Sequence, residues 1–186
     1  MKSKTLVAAC LATFITCAVS HATPRTWDGF ANSTWDTTSS NWSGFLWVNG
    51  DDATFGAAGI GTVTIATGGV SAGNLTFNTA GYTIAGDSLN LGTSTITTTA
   101  DAVISSSLYG MGVTKAGAGT LTLSGINKYG GNTSLTNGVL DLTGAIYEWG
   151  GGGTITVGTG STLRLHDGGW DIGSTGINGN FNNSNS

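Results

Sequence analysis

Charge is scarce in this chain: 9% of its 186 residues are Asp, Glu, Lys or Arg, and proline occurs once. So little basic charge argues against nucleic acid, which wants clustered Lys and Arg. It also leaves no basic patch for anionic lipid. Histidine occurs twice, as His21 and His166. A histidine-based zinc site or a Ser-His-Asp arrangement would rest on His166 alone, and beside Asp167 that ring reads as an exposed turn residue. Apolar residues at helical spacing are missing after residue 22, so almost no α-helix is expected. The two cysteines, Cys10 and Cys17, both fall in an N-terminal apolar run.

That run has the form of a signal peptide. Lys2 and Lys4 make a basic start, residues 5–19 are mostly apolar, and Ser20-His21-Ala22 puts small residues where a signal peptidase reads. Cleavage is expected between Ala22 and Thr23. The apolar run is short of the ~20 residues that a spanning helix needs. Val7-Ala8-Ala9-Cys10 loosely resembles a lipoprotein cleavage box, but the run continues well past Cys10. Cleavage would remove both cysteines and with them any disulfide or thiol chemistry. It would leave Arg25, Lys115, Lys128 and Arg164 against ten acids, a net charge of −6, and no transmembrane segment.

What the chain does have is glycine, 32 residues of it, among threonines and short apolar alternations. The composition is neither that of a disordered chain nor, lacking glycine at every third position, that of collagen. Short strands are expected at Val63-Thr64-Ile65, Leu75-Thr76-Phe77, Tyr82-Thr83-Ile84, Leu89-Asn90-Leu91, Thr95-Ile96-Thr97 and Ala102-Val103-Ile104, with Gly, Asn or Asp corners. The steps Thr76→Thr83→Asn90→Thr97 repeat at equal spacing and together span about 21 residues, close to the ~20–30 of solenoids built from short strands. Three short strands per coil is a parallel β-helix; antiparallel alternatives survive. Leu121-Thr122-Leu123, Leu140-Asp141-Leu142 and Leu163-Arg164-Leu165 share one form. As successive coils they would stack their leucines inward and set Asp141 beside Arg164 on the outer face. Four of the six tryptophans, Trp27, Trp35, Trp42 and Trp47, crowd into residues 23–52. That segment reads either as a cap on the solenoid's open apolar end or as a glycan-stacking surface.

Residues 113–144 read VTKAGAGTLTLSGINKYGGNTSLTNGVLDLTG. Gly117, Gly119, Leu121, Leu123, Ser124, Gly125, Asn127, Tyr129, Gly131, Thr133, Gly138, Leu140 and Leu142 make this stretch resemble the autotransporter-associated β-strand repeat of bacterial passenger domains, also called the passenger-associated transport repeat. The resemblance implies an all-β, right-handed, single-stranded parallel β-helix that is secreted or held at the cell surface, and it implies no reaction. The expected organisation is a signal peptide over 1–22, a Trp-rich cap over 23–52, a β-helix over 53–176 and a fraying Asn/Ser tail over 177–186. Residues 150–153 read as a flexible glycine corner. No run of long amphipathic strands follows, so the chain is expected either to be part of a passenger that continues into further coils or to be a short relative released by another route.

Chemistry is thin. Asp51-Asp52 and Asp167/Asp171 could offer oxygen ligands to calcium, but paired acids at corners are more often solvated, and no cofactor or metal is expected. A polysaccharide lyase or hydrolase could use the outward Asp141 flanked by Arg164 or Lys128. No second carboxylate recurs one coil away, since Thr122 and Arg164 hold those positions. The reading is a non-enzymatic structural or adhesive solenoid, with cell-surface or matrix glycans as candidate partners. A carbohydrate-binding module using exposed Trp27, Trp35, Trp42 or Trp47 is the alternative, and a weak glycan-cleaving enzyme the second.

Overall fold

A computed structural model describes residues 22–144, 154–166 and 177–178. Residues 1–21 of the expected signal peptide, the expected glycine corner at 150–153, Asp167, Asp171 and most of the expected tail lie outside the described residues. Within them every regular element is a strand. No helix among them is long and apolar enough to cross a membrane.

The strands fall into a ten-stranded and a seven-stranded sheet. The larger sheet stacks β1 (Pro24–Trp27), β3 (Asp52–Phe55), β6 (Leu75–Phe77), β8 (Leu89–Thr98), β10 (Leu108–Ala116), β13 (Thr133–Leu135), β15 (Ile155–Val157) and β17 (Ile177–Asn178). The smaller stacks β2 (Thr34–Trp35), β4 (Thr62–Ile65), β7 (Tyr82–Gly86), β9 (Ala102–Ile104), β11 (Thr120–Leu123), β14 (Val139–Leu142) and β16 (Thr162–Leu165). The chain visits the two sheets alternately, and every pairing between these strands is parallel. That is a parallel β-solenoid. A third row comes from β5 (Val70–Ala72), the first halves of β8 and β10, and β12 (Asn127–Tyr129), with Val70, Leu89, Leu108 and Asn127 in register. Three strands per coil is therefore the observed plan. In the middle coils two of the three run on as one long strand, with the pairing interrupted at Gly92 and Met111 and resumed at Thr93 and Gly112.

Register follows the sequence spacing. Thr76 pairs with Thr97, and the leucine pairs of β11, β14 and β16 lie one above another, with Asp141 opposite Arg164. After the first coil, partners are 19 to 23 residues apart. In the first they are 28 and 30 apart, since an added loop runs between β2 and β3. Inward positions carry the core: Leu121, Leu123, Leu140 and Leu142 are fully buried. Each contributes roughly 1.5–3 kcal/mol by leaving water. Every coil needs the next to cover its row, so the stacking is also the stability.

Candidate functional site: the repeat coils and the tryptophan-lined first coil

The leucines, Asn127 and the glycines of the repeat serve the stack. Leu121, Leu123, Leu140 and Leu142 fill inner rows, and Asn127 is an inward side chain whose amide donates to Gly125 O at 3.1 Å. Tyr129 ends β12. Gly117, Gly119, Gly125 and Gly131 sit at corners pressed on the backbone of the coil before. At Gly131 the backbone is left-handed (φ +96°) and a Cβ would collide with Met111 O. At Gly125 a Cβ would collide with Ser106 O. These glycines set the distance between coils as much as the turn.

Within the same repeat lies a residue that the sequence reading passed over. Lys115 points inward in the row Leu75, Ile96, Lys115, Leu135, Val157 and is 0% exposed. Its ammonium donates to Ala116 O at 2.9 Å, Gly117 O at 2.7 Å and Asn137 O at 3.0 Å. It thus ties its own corner to that of the next coil. Burial lowers its pKa to about 8, against the opposing pull of the Asp101 carboxylate. The signal was a lysine at an inward-facing place in an alternating strand.

The tryptophans are a correction. Trp27, Trp35, Trp42 and Trp47 are 0–1% exposed, and none presents a ring face to a sugar. They pack on one another, with Trp42 and Trp47 centroids 4.5 Å apart and Trp35 and Trp47 5.0 Å apart, edge to face. Phe55 carries the aromatic column into the next coil, where it stacks on Phe77 at 4.7 Å. The reason is area: a large ring gains most by leaving water. Trp27 Nε1 donates to Gly59 O and Trp47 Nε1 to Ser71 O.

Side chains also close the outer edge of this coil. Buried Asn41 accepts from the backbone N–H of Ala31 and Asn32, and its amide donates to Asn32 Oδ1 and Thr34 O. Asn32 Oδ1 in turn accepts from Thr34 N. On β1, Ser43 donates to Thr26 O, and Pro24 has no N–H to offer. The edges of β1 and β2 are therefore partly occupied by the chain itself, which blunts them as templates for another strand.

Outside, Asp141 stands opposite Arg164, but its recorded partner is the exposed His166, with Nε2 and Oδ1 2.8 Å apart. The expected Asp141–Arg164 adjacency exists as register. Arg164 instead borders an open groove of about 370 Å³ with Thr83, Asp101, Thr120 and Thr122. Lys128 lies 5.8 Å over the Tyr109 ring, on another face from Asp141. Asp51 is engaged by Arg25 Nε at 2.8 Å, and Asp52 Oδ1 accepts from Asn74 N. Among the described residues no three His, Cys, Asp or Glu side chains gather as metal ligands.

This geometry defines a stacked β-solenoid whose corners are written in a glycine repeat. The family model of the passenger-associated-transport-repeat matches residues 113–142, which run from the second half of β10 to the end of β14. The chain thus carries a passenger-associated-transport-repeat over part of its length. It is 36% identical over 143 residues to the Adhesin BmaC autotransporter of Brucella suis biovar 1 (strain 1330). The match covers 65% of this chain and 4% of that protein, so the chain spans a small fraction of its relative. No solved structure matches it.

Proposed function

We propose that the chain is a non-enzymatic adhesive solenoid, exported and displayed outside the cell, built as a passenger domain is built. The observation that carries this reading is the use the fold makes of the repeat. Its Leu121, Leu123, Asn127, Thr133, Leu140 and Leu142 side chains are spent on inner rows and its glycines on corners, leaving outer rows of Thr, Ser, Asn and Asp for contact. A relative named as an adhesin supports it. The groove bordered by Asp101, Thr122 and Arg164 is the surface offered to a polar partner such as a cell-surface or matrix glycan. The tryptophan-lined first coil acts as a cap.

The test compares attachment of cells that make the chain with that of cells lacking it, on glycan- and matrix-coated surfaces. The reading expects attachment to fall when the chain is absent. Equal attachment would overturn the adhesive role, and release of new sugar ends from a polysaccharide by the pure protein would overturn the non-enzymatic one.

A further inference from the structure

Thr23 immediately precedes β1, and its backbone nitrogen lies 3.1 Å from Asp51 Oδ1. The second oxygen of that carboxylate accepts from Arg25 Nε at 2.8 Å. Asp51 is 6% exposed, so its two oxygens are shut between a guanidinium and a peptide nitrogen. Neighbouring Asp52 is turned away, its Oδ1 accepting from Asn74 N and Nδ2. Thr23 is pinned from the other side as well, since its carbonyl accepts from Asp52 N at 3.0 Å. A neutral amide is the weaker donor to an enclosed carboxylate; an ammonium in the same place would make a charge-assisted bond. The sequence shows how one could arise. Ser20 and Ala22 are the small residues before a cleavage point that would make Thr23 the first residue.

We propose that the chain is cut between Ala22 and Thr23 and that the new α-ammonium becomes the second cation on Asp51, so that processing completes the first coil. The cut is a hydrolysis by the exporting cell's signal peptidase. Water adds across the Ala22–Thr23 amide, the C–N bond breaks, and Ala22 leaves as a carboxylate on the departing peptide. The Thr23 nitrogen takes up the protons and is an ammonium at neutral pH. Before the cut the first coil holds Asp51 with one cation, Arg25; after it, with two. This inference rests on the chain being exported, and the experiment separates the two ideas.

The full chain, produced with its own N-terminus in an exporting bacterium, is recovered and its first residue sequenced. Thr23 is expected. A product that begins at Met1 would overturn export together with this inference, whereas an exported product that begins elsewhere would overturn this inference alone. Acetylating the α-amine of the recovered protein is then expected to lower its thermal midpoint by about 2–4 °C. The same treatment should leave Asp51→Asn unchanged. No fall in the native protein, or an equal fall in Asp51→Asn, would show that the ammonium does not rest on Asp51.

Discussion

At the scale of the residue, Lys115 shows how one buried charge can organise apolar neighbours. Its stem continues a row of Ile and Leu while its head closes three carbonyls on two successive corners. Lys115→Met keeps the stem and removes the donors, so chemical denaturation should report a loss of about 1–3 kcal/mol from the orphaned carbonyls. The pH dependence has a definite sign. With a folded-state pKa of about 8, below the ordinary lysine value of roughly 10.4, the unfolded chain holds the proton more tightly. Stability should therefore rise as pH climbs from about 8 toward roughly 10.4, where the cost of burying the charge is relieved. Melting curves over that range should show the rise in the native protein and not in Lys115→Met. A simpler residue-scale outcome concerns Leu121. It is wholly enclosed, and Leu121→Ala should cost about 2–5 kcal/mol in the same measurement.

At the scale of the element, corners and the first coil decide what a coil can be. Gly131 takes a left-handed backbone against Met111 O, so Gly131→Ala meets both a conformational and a steric obstacle. Its thermal midpoint should fall well below that of an alanine placed at Gly160, which has open space around its Cβ position. In the first coil, Asn41 satisfies two donors and one backbone acceptor. Asn41→Ala should lower stability by more than about 2 kcal/mol, because several partners lose their bonds together. Much of this level was legible in the sequence. Alternation placed the strands, and the equal steps from Thr76 to Thr97 gave the coil length that the register repeats. Leucine spacing placed β11, β14 and β16 over one another. The tryptophans were harder, because short polar neighbours suit a sugar site and a closed turn equally well. Asn41 escaped notice for a related reason: its bonds go largely to backbone atoms that a linear pattern cannot locate. The side-chain partner of Asp141 also depended on side-chain reach, and it is His166 that bonds it.

At the scale of the whole molecule, the account is one of stacking. Each coil covers its neighbour's inner row, the aromatic first coil thickens one end, and the outer rows remain polar. The passenger-associated repeat is thus not a module attached to a solenoid; it is the stretch from β10 to β14, paired with β8 and β9 before it and with β15 and β16 after it. The most direct test of the stacking is disulfide trapping in a background free of Cys10 and Cys17. Residues paired on adjacent coils lie about 4.8 Å apart, within reach of a disulfide, whereas residues two coils apart do not. Thr122→Cys with Asp141→Cys should therefore close on oxidation, and Thr122→Cys with Arg164→Cys should stay open. Closure of the second pair in place of the first would contradict the register and, with it, the solenoid.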